Sequence, residues 1–259
     1  MHPSNEPETR VWPPPPAPGQ TDASRPSEYR SNYWMTVAVT VFGLLLCVCV
    51  LGDLALLSPS FERTLAARWI YFLEMMATQP LTIVYDVLIL VWTYRAYANL
   101  RGLGADGLSS TPGWAAAFGV IPVVNLFRPY FIFQEMWRAS SAPTGSRELW
   151  ARRPALRVLW GLWPLYIASA LVNAVAVVGR YGAWAYLLLG MSMPDWLSAA
   201  RALSYNRPYL ACMFGSLLIV QPLFLWIAWL MLRRQERTHA LQVAAKLGMA
   251  VGKDGEGVL

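Results

Sequence analysis

Five long runs of apolar residues, almost free of charge, constrain this chain more than anything else in it. The first runs from Trp34 to Leu57 with Asp53 near its end. The second lies between Glu74 and Arg95 with Asp86 close to its middle, and the third, Gly107 to Phe127, has no charge. Val158 to Gly179 and Pro208 to Leu232 complete the set, also without charge. Only 14% of the 259 residues are charged, against about 25% in an average soluble domain. A helix of the first run's length reaches about 36 Å, more than a hydrocarbon core of about 30 Å. In lipid the backbone must satisfy its own polar groups, which leaves helices or closed barrels. Runs this long and this continuous predict helices. The expected fold class is all-α: a polytopic helical membrane protein with four spanning helices plus a broken or re-entrant third hydrophobic segment.

The third run carries its own interruptions. Pro112-Gly113 opens it, Pro122 breaks it, and Asn125, Arg128 and Pro129 follow. The helix-compatible stretches on either side, Trp114 to Ile121 and Pro129 to Arg138, are each about 12–15 Å long, half the core. They fit a re-entrant hairpin or a kinked span. The second spanning helix is expected from about Thr78 to Leu100, with Pro80 in its first turn. The linker before it is either a short interfacial helix or an extension of the span. Tyr181 to Pro194 is apolar but too short to cross; it lies at the interface or extends the fourth helix.

Three regions follow: a disordered Pro-rich cytoplasmic tail over residues 1–32, a helical membrane domain over 33–233, and a polar basic tail over 234–259. The tail's Pro13 to Pro16 has local polyproline character and no apolar face. With the third run re-entrant and both tails inside, 16 basic residues lie on the cytoplasmic side and 5 outside. Full crossing of the third run reduces the contrast to 13 and 8. The first arrangement fits the positive-inside rule better, so the expected location is the cell membrane, multi-pass, with both termini cytoplasmic. The net charge of +6 belongs to this asymmetry, and no nucleic-acid partner is expected.

Histidine occurs only at His2 and His239, and Cys47, Cys49 and Cys212 all sit inside apolar runs. No metal site, cofactor or histidine-based catalysis is expected from such a set. Phosphate-binding loops, nucleophile elbows and metalloprotease motifs are absent from the sequence.

The stretch from Trp92 to Ser140 is more specific than hydropathy. It reads Trp92, Arg95-Ala96-Tyr97, Asn99-Leu100, Leu103-Gly104, then Pro112-Gly113-Trp114-Ala115. Ile121-Pro122, Asn125-Leu126, Arg128-Pro129 and Glu135-x-Trp137-Arg138-Ala139-Ser140 follow. This order resembles the bacterial membrane family known as domain of unknown function 4328. The resemblance covers about Thr36 to Arg237. It implies a multi-span protein of the bacterial inner membrane and supplies no activity, substrate or catalytic residue.

Six polar residues near or within the membrane form the candidate cluster: Asp86, Arg95, Asn99, Asn125, Arg128 and Glu135. Asp86 is read as a proton or cation site, or, preferably, as a structural carboxylate bonded to a neighbouring helix, since a charge there costs about 2.5–3.5 kcal/mol. Arg95 and Asn99 are four residues apart and share a helix face. The cluster is either a polar clamp around the break, the preferred reading, or an anionic site for a lipid head group or small solute. Asn125 is expected to satisfy backbone groups freed at the break. Two ion pairs are expected, Glu135 with Arg95 and Asp86 with Arg128. The function expected is that of a non-catalytic structural or interaction component of the membrane. Its partners would be the lipid bilayer and further copies of itself or other membrane proteins. The alternative is a small transporter or channel subunit with its site at the broken third segment.

Overall fold

The computed structural model describes residues 28–56, 65–141, 146–182, 186, 189–204 and 207–247, and among them every regular element is helical. In chain order these are α1 (Tyr33–Leu56), α2 (Leu65–Gly102), α3 (Pro112–Ala117), α4 (Pro122–Asn125) and α5 (Arg128–Ala139). Then come α6 (Arg147–Ala151), α7 (Val158–Val177) with a π turn at Val178–Gly182, α8 (Asp195–Ser204) and α9 (Arg207–Lys246). Four of these, α1, α2, α7 and α9, contain segments long and apolar enough to cross a membrane. They are also apolar on their outer faces: Leu44 and Val48 on α1, Ile83 and Val87 on α2, Leu171 on α7 and Ile219 on α9 are exposed. Helices apolar all round belong in lipid, where those side chains cost nothing.

α1 packs between α2 and α9, and α9 packs on α7. Gly43 allows the close approach of α1 to α9: a Cβ there would come within 3.1 Å of Leu225. Small residues serve membrane helices in this way, because lipid tails give no hydrophobic drive to association. The α2–α7 side of the bundle is bridged by α5, which touches both.

Cross-helix bonds show how the ends align. The Asn32 amide donates to the Trp92 carbonyl at 3.4 Å, the Trp92 indole to Thr36 Oγ1 at 3.0 Å, and Gln235 to the Ala96 carbonyl at 2.9 Å. The start of α1, the end of α2 and the far part of α9 therefore share one end of the bundle. Tyr29 stacks on His239 there, with ring centroids 4.2 Å apart. The described residues nearest the two termini lie at the same end, called here the locked end.

α2 ends at Gly102, and in the turn that follows Gly104, with a φ of +76°, reverses the chain at little cost for a residue without Cβ. From there the third apolar run can be followed by its neighbours. Ser109 lies beside Tyr97 and Glu135. Gly119 reaches Leu90, which a Cβ would approach to 3.2 Å. Leu126 meets Trp163 of α7 at 2.7 Å, and Gln134 meets Leu156, just before α7, at 2.9 and 3.1 Å. The chain thus descends along α2 from Tyr97 to Leu90, about 10 Å of helix, and climbs back along α7 to the same end.

Several boundaries differ from expectation. α2 begins at Leu65, so the described part of the linker is continuous with the span and Pro80 lies in the helix interior rather than the first turn. A proline there removes one backbone donor; Thr82 donates to the Thr78 carbonyl at 2.8 Å beside it. α7 passes into the π turn, and α8 packs on that turn with Leu197 fully buried. The segment expected as a basic tail from residue 234 continues α9 without a break to Lys246. Residues 1–27 and 248–259 of the expected tails lie outside the described residues.

Candidate functional site

The six polar residues chosen from the sequence separate into three environments. Arg95 and Asn99 share a face of α2, as their spacing requires, and both hold the segment before α1. Asn99 donates to the Arg30 carbonyl at 2.8 Å and accepts from the Arg30 amide at 3.2 Å; Arg95 donates to the Ser31 carbonyl at 3.2 Å.

Glu135 stands on α5 with 7% of its surface exposed. It accepts from Tyr97 at 2.9 Å, and from both the backbone amide and the hydroxyl of Ser109 at 2.6 Å. Tyr97 in turn accepts from the Ser110 amide at 3.1 Å. A carboxylate with three donors is well satisfied without a cation. The expected Glu135–Arg95 ion pair does not form, because each partner already has backbone or hydroxyl groups to bond.

Around this lock lie residues whose roles sequence reasoning missed. Gln134 clasps Leu156 through both its amide oxygen and its amide nitrogen. Trp163 donates to the Leu126 carbonyl at 2.7 Å, which is the task expected of Asn125; Asn125 instead faces Tyr166 of α7. Gln235, Thr238 and Gln242 of α9 donate to Ala96, Ser140 and Leu103 at 2.9, 2.7 and 2.9 Å. The signal for these three was present, as polar residues at helical spacing after the last apolar run. Arg234 lies 4.0 Å above the Trp137 ring.

Arg128 opens α5 and takes a different course. Its guanidinium lies 5.2 Å from the Phe118 ring centroid, a cation–π distance. It forms no ion pair with Asp86 among the described residues. Asp86 is exposed midway along α2, between the exposed Val84 and Val87 and within electrostatic reach of Tyr166. The descent of the third segment to Leu90 leaves Arg128 on its returning limb, facing the α2 end rather than the middle of the span.

Arg128 borders a cavity of about 550 Å³ whose other walls are Arg101, Leu108, Ser109, Ser110, Thr111, Trp114 and Phe118. A second hollow of about 490 Å³, on the outer face of α7, is lined by Tyr130, Leu159, Trp160, Trp163, Pro164, Ile167, Ala168 and Leu171. It is apolar apart from the Tyr and Trp polar edges. Among the described residues no three His, Cys, Asp or Glu side chains gather to hold a metal.

The family model described as Domain of unknown function (DUF4328) matches residues 56–191, and the chain belongs to that family. The matched stretch contains Tyr97, Ser109, Glu135 and both cavity arginines, whereas Asn32, Thr36, Gln235 and Thr238 reach in from outside it. No curated protein and no solved structure matches the chain.

Proposed function

We propose that this protein is a non-catalytic interaction component of the bacterial cytoplasmic membrane, with both termini in the cytoplasm and the third segment re-entrant from that side. One observation carries the reading: the polar side chains of Glu135, Asn99 and Gln134 at the locked end are spent on holding segments together. Glu135 engages three donors, and Asn99 and Gln134 each bond in both directions. Behind them the rings of Trp92, Phe133 and Phe224 pack with centroids 5.7–6.3 Å apart, Phe224 edge-on to the other two, so the core is filled where a solute path would continue. The re-entrant assignment draws support from the path of the segment along α2 and back along α7, and the cytoplasmic assignment from the basic residues concentrated at that end.

Asp86 supports association with a second copy of the chain. A carboxylate on an apolar outer face is costly in lipid, about 2.5–3.5 kcal/mol on insertion scales, and a partner helix relieves that cost.

The cavity at Arg101 and Arg128 keeps a second reading in play, that of a small transporter or channel subunit. Reconstitution into vesicles separates the two. The interaction reading predicts ion and phosphate efflux equal to that of protein-free vesicles. Efflux that requires Arg128 would replace it with the transport reading.

A further inference from the structure

We propose that the cavity between the end of α2 and the 108–118 segment binds a phosphate group, carried by an anionic membrane lipid or free in solution. The inference rests on the interaction reading above and gives it a ligand class.

Two guanidinium groups face one hollow. Arg101 is exposed in the last turn of α2, and Arg128 is the first residue of α5. Neither has a carboxylate partner among the described residues. Arg128 is held in place by its seat over Phe118, so little of its freedom remains to be lost on binding. The lining itself contains no acid, and the oxygens of Glu135 are directed at Ser109 and Tyr97. Two arginines and no carboxylate make the lining positive.

The hydroxyls divide by geometry. Ser109 donates its proton to Glu135 and has none for a ligand. Thr111 accepts from the Trp114 amide at 3.3 Å, so its hydroxyl proton is free to point into the cavity. Arginine forks with a hydroxyl donor match the oxygens of a phosphate.

Depth and the remaining wall favour a lipid as the carrier. The candidate span in α2 covers 26 residues, Ala77–Gly102, or about 39 Å, so Arg101 falls beyond a core of about 30 Å and into the head-group layer. Trp114 is 57% exposed at the rim, the position of an interfacial aromatic. With Phe118 it offers an apolar edge to whatever the phosphate is attached to.

The test uses the full chain in mild detergent and three probes: dihexanoyl phosphatidylglycerol, dihexanoyl phosphatidylcholine and inorganic phosphate. Saturable binding of phosphatidylglycerol is expected, and Arg101→Gln and Arg128→Gln should each weaken it about tenfold, the scale of a charge-assisted hydrogen bond. Arg152→Gln, which removes the same charge outside the cavity, should leave it unchanged. Preference for phosphatidylglycerol over inorganic phosphate identifies the lipid source; equal affinity identifies the soluble one. Arg101→Gln alters an exposed side chain, so it reports on binding even if Arg128→Gln unfolds. Absence of saturable binding by all three probes, or equal losses in Arg101→Gln and Arg152→Gln, would overturn the proposal. Failure here with silent vesicles removes the ligand and leaves the interaction role. Arg128-dependent efflux with intact binding removes that role and leaves the ligand.

Discussion

Among the described residues, the two ends of the bundle are built differently. At the locked end, side-chain hydrogen bonds cross between helices at Asn32, Thr36, Trp92, Tyr97, Gln134, Glu135, Gln235 and Thr238, around a core that includes Trp92, Tyr97, Ile132 and Met136. Among the described residues, the buried cluster at the opposite end comprises Val50, Leu210, Met213 and Phe214. Tyr209 donates to the Val172 carbonyl, and nearer the middle Ser216 bonds Ser169 at 2.9 Å. In lipid, apolar contact alone gives helices little reason to choose one register over another. The polar bonds of the locked end fix that register, and the opposite end follows from the continuity of the helices.

The comparison is broken most sharply by truncating its largest member. Trp92 is 1% exposed and bonds in both directions. Trp92→Ala should cost about 3–5 kcal/mol, whereas Leu210→Ala at the opposite end should cost about 2 kcal/mol, the lower limit for such a change. Chemical denaturation in detergent compares them directly, and equal losses would erase the distinction between the ends.

Glu135→Gln comes next. It turns an amide donor toward Tyr97 and Ser109, which are donors themselves, and should cost about 1–3 kcal/mol. Rescue by an aspartate introduced elsewhere at this end would show that negative charge, rather than acceptor count, is what the lock requires.

A double-mutant cycle sharpens the account of the charges. Asp86→Asn and Arg128→Gln should add within about 0.5 kcal/mol, since no ion pair joins them. A coupling above about 1 kcal/mol would restore the pairing that the sequence suggested.

The smallest effect concerns Tyr29, which precedes α1. Burial and, secondarily, the Glu236 carboxylate push its hydroxyl from 10.0 up to about 12. The folded state favours the neutral phenol, so stability is level below about pH 10 and falls as pH rises from 10 to about 12. A melting curve in this window should be flatter for Tyr29→Phe. An identical slope would show that Tyr29 ionises freely.

Much of this architecture was legible in the sequence because membrane helices announce themselves by length and lack of charge. The four helices long and apolar enough to span, and the shared face of Arg95 and Asn99, follow from hydropathy and helical periodicity. What was not legible depended on tertiary choice. Glu135 had cations nearby in sequence, yet Ser109 and Tyr97 reach it first, and hydroxyls and backbone amides carry no sequence mark that distinguishes them as partners. Nothing in its apolar run marks Trp163 as a cross-segment donor; only the return of the third segment along α7 gives its indole the Leu126 carbonyl. Arg101 and Arg128 lie 27 positions apart and meet at one cavity because the segment between them folds in and out at one end.

That in-and-out path is the central claim, and sidedness of labelling tests it most directly. In a background lacking Cys47, Cys49 and Cys212, single cysteines replace Glu28, Asp106, Asp195 and Leu247. A membrane-impermeant thiol reagent should label positions 28, 106 and 247 from the same side, in inverted vesicles, and position 195 from the opposite side, in right-side-out vesicles. Labelling of position 106 together with 195, and apart from 28 and 247, would place the loop after α2 across the membrane from the termini and contradict the account.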